Sequence, residues 1–270
     1  MILYNKEIIN KLNAWSDDSI YVLADFDRTL TSYDSKTSWS ILYNNDKINP
    51  EYKKQANKLY DYYRPYELDE SIDFLKKSSL MESWWNDLIT LSIKYQIPST
   101  LIEELSNDKN TMKFREGTPK LLKNFYKRKI PVIIISAGLG NFIENFLKLN
   151  NCYYENIYII SNYLDFTNNI ATGIKGPLIH TLNKNEISIP LNIKKLLQNR
   201  TNTILLGDQI ADISMLSSTH QENALKIGFL EDNVSQLKQD YLNHFDIVCQ
   251  EKTSFLDIMN EFPTLFKINK

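Results

Sequence analysis

The first 116 residues of this 270-residue chain contain no glycine; all seven glycines lie from Gly117 to Gly228. Glycine supplies tight turns and close backbone approach, so the two portions of the chain are built differently. Cysteine is scarce as well: Cys152 and Cys249 form no CxxC or zinc-ligand spacing, which points to buried thiols in a reducing compartment. Neither sign of charge predominates. The net charge is -2 with lysines spread among acids, which leaves no electrostatic footprint for nucleic acid. The short run Lys127-Arg128-Lys129 reads as a solvated helix end. No apolar stretch approaches membrane-spanning length, and the run after Met1 is too short for a signal peptide. The expectation is a cytoplasmic protein with neither a nucleic-acid nor a membrane partner.

What is present is enough apolar sequence, 43% of residues, to bury a sizeable core. From Tyr33 to Met112 the pattern is helical. Glu51–Tyr63, Glu67–Lys77 and Leu80–Tyr95 carry apolar residues at three- and four-residue spacing, with Pro65 and Pro98 as punctuation and Ser99-Thr100 capping the next short helix. This stretch is also rich in tyrosine and tryptophan. Elsewhere short continuous apolar runs alternate with helices: Ile20–Ala24, Pro131–Ser136, Asn156–Ser161, Thr203–Gly207, Ala224–Gly228 and Phe245–Val248. Runs without polar alternation indicate strands covered on both faces. Thr118-Pro119 opens a helix as N-cap and first helical residue, and Asn168-Asn169 centres a hairpin over Leu164–Ile174. The fold class is therefore α/β: a mainly parallel sheet with helices on both faces, interrupted after its first strand by a helical insertion. Residues 1–32 and 113–270 form the core, and residues 33–112 form the insertion.

Three of the strands end in chemistry. The first runs into Asp25-Phe26-Asp27-Arg28-Thr29, two carboxylates just past a carboxyl end, where open α/β sheets bind ligands. A turn or helix cap with a spare acid would look the same in isolation. The second is Ile133–Ser136 followed by Ala137-Gly138-Leu139-Gly140 and a helix over Asn141–Leu149: a hydroxyl and free N–H groups at a helix start, which make an anion site or a plain cap. Phe142 and Ile143 fall where a dinucleotide loop would place its third glycine, which weakens that reading. The third strand ends in Gly207-Asp208-Gln209-Ile210-Ala211-Asp212. Its two acids come close together if a helix begins there, and with Asp25 they offer oxygen ligands to a hard cation. Lys184, between the second and third features, supplies a positive charge.

The order of these features resembles the haloacid-dehalogenase phosphatase superfamily: DxDxT at Asp25–Thr29, Ser136, a lysine, then GDxxxD at Gly207–Asp212. More narrowly it resembles the type III cytosolic, or pyrimidine, 5'-nucleotidases. Further matching stretches are Arg115-Glu116-Gly117, Ser161–Phe166, Gly176–Lys184 and Leu225–Gly228. The resemblance implies a Rossmann-like core with the insertion as a cap domain. It implies Asp25 as nucleophile and Asp27 as general acid, then base. Ser136, Ala137, Gly138 and Lys184 would bind phosphate. Magnesium would sit on Asp25, the Asp27 carbonyl and Asp208, with Asp212 nearby. In the cap, the resemblance places a base-reading group at Met81-Glu82-Ser83-Trp84-Trp85, so Glu82, Ser83 and Trp84 are the expected base contacts.

The expected activity is magnesium-dependent hydrolysis of a nucleoside 5'-monophosphate through an aspartyl-phosphate. Two alternatives stand beside it: a phosphatase for another small monoester such as phosphoserine or a sugar phosphate, and a non-enzymatic binding relative. His180, four residues before Lys184, is expected to be structural.

Overall fold

A computed structural model of the chain describes residues 1–5, 8, 15–69, 71–108, 112–185, 189–217 and 221–266. Its centre is one eight-stranded sheet of β1 (Ile2–Tyr4), β2 (Ile20–Ala24), β3 (Val132–Leu139), β4 (Ile157–Thr167), β5 (Ile170–Lys175), β6 (Asn202–Gly207), β7 (Ala224–Phe229) and β8 (Ile247–Cys249). Their order across the sheet is β1-β8-β7-β6-β2-β3-β4-β5. The six inner strands are parallel, and β1 and β5 add antiparallel edges.

Apolar runs without alternation do what they must in such a sheet: successive side chains enter different cores. On β2, Ile20, Val22 and Ala24 join one buried cluster, and Tyr21 and Leu23 join the other. Among the insertion and core helices are α1 (Ser38–Tyr43), α2 (Pro50–Leu68), α3 (Phe74–Lys94), α4 (Ser99–Ser106), α5 (Thr118–Lys127), α6 (Gly140–Leu149), α7 (Leu191–Leu197), α8 (Val234–His244), α9 (Phe255–Glu261) and α10 (Pro263–Phe266). Leu121 and Phe125 of α5, with Phe142 and Phe146 of α6, fill the first core; Ile193 of α7 and Tyr241 of α8 fill the second. Helices thus cover both faces.

The first four helices all lie between β2 and β3. The sequence-derived helix Glu67–Lys77 does not form. Instead α2 runs through Pro65 to Leu68, and α3 starts at Phe74. Two aspartates make the break: Asp69 Oδ1 accepts from Ser71 N, and Asp73 Oδ1 accepts from Leu75 N and Lys76 N as the cap of α3. Pro65, read as punctuation, sits in the last turn of α2, where only three residues of helix follow it.

Two caps differ from expectation. Gly117, with φ +88°, is the N-cap of α5, and Thr118 is already helical, its hydroxyl donating to Leu30 O. A side chain at Gly117 would also bring a Cβ to 2.7 Å from the Leu256 amide nitrogen. The start of α4 is satisfied from the distant hairpin: Ser99 N donates to Asn169 O, and Ser99 Oγ and Thr100 N donate to Asn169 Oδ1. That hairpin turns at Asn168 and Asn169, both with positive φ, as the Asn-Asn pair requires. Beside it Ala171 N donates to Ile97 O, and Pro98 bridges Ile170, so residues 97–99 lie along β5.

The sheet does not begin at Ile20. Ile2-Leu3-Tyr4 pairs with β8, and the Met1 ammonium donates to Gln250 O at 3.0 Å. Both cysteines are free and buried, and burial pushes the Cys249 thiol up to about 12. Among the described residues no helix is long and apolar enough to cross a membrane.

Candidate active site at the strand ends

The chain leaves β2 toward one edge through β3 and returns on the other side as β6, so a crevice opens beyond the carboxyl ends of these three strands. Asp25 stands at the head of it. Its N–H donates to Leu206 O at 2.9 Å, which extends the ladder with β6 by one residue and fixes the backbone under the carboxylate. The loop that follows folds tightly: Phe26 O accepts from Leu30 N and Thr31 N, and Arg28 takes φ +63°.

Buried Arg115 holds that loop from behind. It donates to Thr29 O and Arg28 O, pairs with Glu231, and lies 3.9 Å over the Phe229 ring.

Lys184 Nζ lies 2.5 Å from Asp25 Oδ1 and 3.0 Å from Asp212 Oδ1, with all three side chains at least nine-tenths buried. Asp212 is committed on both oxygens, since its Oδ2 accepts from Asp208 N and Gln209 N. The GDxxxD spacing works here through a 3-10 turn over Ile210–Met215, not through an α-helix.

Asp25, Asp208 and Asp212 each present a carboxylate oxygen, all within 4.8 Å of one another. With Asp27 nearby there are more carboxylates than the one ammonium balances. The titration behaviour follows. Burial raises Asp25 to about 6 against the lowering influence of Lys184. Burial, then the Asp25 charge, raises Asp27 to about 7. Burial together with Asp25 and Asp212 holds Asp208 well above its ordinary value. Burial alone would lower Lys184, but Asp212 and Asp25 keep it above the usual lysine range. A site of oxygen donors short of positive charge fits a hard divalent cation, so these acids can hold a metal ion.

On the other side of Asp25, Asp27 accepts from Ser38 N at 3.3 Å and Ser38 Oγ at 3.5 Å. Ser38 is the first residue of α1, and its hydroxyl also accepts from Leu139 N. Beyond it, β3 carries Ser136, whose Oγ accepts from Gly138 N at 3.0 Å. A cavity of about 560 Å³ opens above these groups. Asp25, Asp27, Ser136, Ala137, Gly138, Lys184 and Asp208 line its floor, and Tyr43, Tyr60, Arg64, Glu67, Trp84 and Trp85 line its walls.

The strand-end residues expected from sequence therefore come together. The cap residues do so only in part. Glu82 and Ser83 are exposed, neither lines the cavity, and Ser83 Oγ is spent on Ser79 O. The reason is helical phase: Met81, Trp84, Trp85 and Leu88 form the buried face of α3, and positions 82 and 83 fall outside it. The glutamate on the wall is Glu67 of α2, paired with Arg64 one turn earlier. Trp84 does line the cavity. Its ring stacks on Tyr63 at 5.8 Å, and its indole Nε1 is buried without a partner. His180 is buried: its Nδ1 accepts from Leu182 N, and burial pushes it down to about 4.

Comparison with known proteins bears on this geometry. The family model of pyrimidine 5'-nucleotidase (UMPH-1) matches residues 26–265. The 7-methylguanosine phosphate-specific 5'-nucleotidases of Mus musculus and Homo sapiens are each 35% identical, covering 94% of this chain and 87% of theirs. That of Drosophila melanogaster is 30% identical over 90% of this chain and 79% of its own. Among solved structures, cytosolic 5'-nucleotidase IIIB bound to cytidine superposes with a TM-score of 0.87 at 27% identity, covering 98% of this chain and 92% of that one. A phosphoserine phosphatase shares the fold, with a TM-score of 0.58 at 20% identity over 90% of this chain and 97% of the other.

Proposed function

The chain belongs to the pyrimidine 5'-nucleotidase (UMPH-1) family, and from that premise we propose that Asp25 takes the 5'-phosphate of its nucleotide covalently. The protein is a hydrolase of phosphoric monoesters that acts on nucleoside 5'-monophosphates. The observation that carries the mechanism is the meeting of Asp25, Asp27, Ser136 and Lys184 on the floor of one cavity whose walls are aromatic.

A dianionic phosphate repels an attacking carboxylate, so the first task is neutralisation. Lys184 and the Ser136 hydroxyl meet the phosphate oxygens. Magnesium, held by Asp25, Asp208 and the Asp27 carbonyl, would supply further positive charge; Asp212, with both oxygens engaged, orients Lys184 and the Asp208 backbone. Asp25 then attacks phosphorus while the bond to the ribose oxygen breaks, and Asp27 gives that oxygen its proton. The raised Asp27 carboxyl suits it to hold that proton near neutral pH. In the second half a water attacks the aspartyl-phosphate, passes its proton to Asp27, and frees phosphate and Asp25.

Residues 33–112 act as the cap over a core of 1–32 and 113–270, and they shape the leaving-group pocket. The base lies against Tyr43, Tyr60 and Trp84. Its edge is read by the Glu67–Arg64 pair. A cytoplasmic location completes the reading.

The test is phosphate release from a panel: 7-methylguanosine, cytidine, uridine, adenosine and guanosine 5'-monophosphates, with ribose 5-phosphate and phosphoserine for comparison. At least one nucleotide should lead by kcat/KM. If ribose 5-phosphate or phosphoserine outpaces every nucleotide, the cap does not read a base.

A further inference from the structure

One carbonyl oxygen in the phosphate loop accepts three side-chain donors. Ala137 O takes the Trp39 indole N–H at 3.0 Å, the Trp85 indole N–H at 2.6 Å and the Asn162 amide at 2.9 Å. A carbonyl has two lone pairs, so a third donor on it is beyond what satisfying a buried acceptor requires. All three side chains are buried. The tryptophans come from α1 and α3 of the insertion and Asn162 from β4, so the contact ties separate parts of the chain to one peptide group.

The peptide held at its oxygen carries the Gly138 N–H on its opposite side. That N–H donates to Ser136 Oγ, which turns the serine's own hydrogen away from Gly138 and leaves it for the cavity Ser136 lines. Density drawn onto Ala137 O makes the Gly138 N–H a stronger donor, and a polarised chain of bonds strengthens each member. Gly138 has no slack in this arrangement. A Cβ there would lie 2.4 Å from Ser38 Oγ and 3.1 Å from both Asp27 Oδ2 and Ser136 Oγ.

We propose that Trp39 and Trp85 are positioning residues for the phosphate chemistry: through Ala137 O they set the Ala137–Gly138 peptide, and through it the aim of the Ser136 hydroxyl. The proposal rests on the phosphate-binding role given to Ser136 above. It separates two adjacent residues of α3 by task, with Trp85 serving the reacting group and Trp84 the base. The Trp85 ring meets Trp84 edge-on at 5.0 Å and lies 6.5 Å from the His180 ring.

Trp39→Phe and Trp85→Phe keep an aromatic ring and remove the donor. Each variant of the full chain is assayed with magnesium, well below its own melting midpoint, on the best nucleotide and on ribose 5-phosphate. For each, kcat should fall about tenfold on both substrates alike, leaving their ratio unchanged, because a slightly misaimed hydroxyl costs the same whatever the leaving group carries. Unchanged kcat on ribose 5-phosphate, with a loss confined to the nucleotide, would overturn the proposal in favour of base stacking. A second readout does not depend on turnover: the Gly138 amide resonance should move in both variants, and a fixed resonance also counts against it. If one variant fails to fold, the other carries both measurements. A wild-type protein inactive on every ester would sink the proposed function instead, so the two failures are distinct.

Discussion

Asp25→Asn should silence the enzyme and, without metal, make it more stable. The carboxylate is buried beside Asp212 and Asp208, and despite Lys184 at 2.5 Å it is raised from 3.8 to about 6. A carboxyl raised on folding favours the folded state below its ordinary value, and that advantage is lost as pH rises through the folded value. The shift is about two pH units at roughly 1.36 kcal/mol each, so ionised Asp25 costs about 3 kcal/mol above pH 7. Asparagine keeps an acceptor for Lys184 and does not titrate. The variant and wild type should therefore melt alike near pH 4 and diverge with rising pH. At the roughly 2–4 °C per kcal/mol expected for this chain length, the gap reaches about 6–12 °C at neutral pH. Thermal melts in EDTA across that range measure it, with phosphate release as the activity control. Magnesium should narrow the gap by binding the folded wild type. A variant that melts below wild type at neutral pH in chelator, or a gap independent of pH, would refute the reasoning.

Chelation should stop phosphate release and magnesium restore it, with Asp208→Asn raising the magnesium requirement by about tenfold or more; full activity after exhaustive chelation would contradict the role given to Asp208. Glu67→Gln and Arg64→Met should reorder the nucleotide panel several-fold to about tenfold while sparing ribose 5-phosphate, whereas Glu82→Gln, on an exposed position, should leave the ranking alone. Arg115→Met strands Glu231 in the interior and should cost about 3–5 kcal/mol, read from denaturant melts, and adding Glu231→Gln should recover part of it.

Much of this was legible in the sequence because the relevant signals are local. A β2 buried on both faces cannot alternate polar and apolar residues, so Ile20–Ala24 announces itself. Asp25 and Asp27 follow at once, and GDxxxD brings two acids together within one turn. What depends on helical phase or on remote partners was hidden. Glu82 beside Trp84 looks like a base reader in a linear string. The face Asn57, Tyr60, Arg64, Glu67 on α2 could have been found by spacing alone, yet nothing local says it meets the cavity. The pairing of Trp39 and Trp85 at Ala137 O spans 98 and 52 residues, and Ser38 reaches Leu139 across 101. Asp69 and Asp73 as helix breakers were local signals that apolar periodicity overrode.

The strip of residues 97–99 along β5 has a consequence for the molecule's behaviour in a crowded solution. An outer strand offers unpaired backbone groups to any other extended chain, and sheets of this size grow into aggregates through such rims. Here Ile97 O already receives Ala171 N, Asn169 O receives Ser99 N, and Pro98, which has no N–H to give, bridges Ile170. At the opposite rim β1 is three residues long. The strip thereby covers the start of one margin of the sheet, and loosening it would expose those backbone groups to another extended chain.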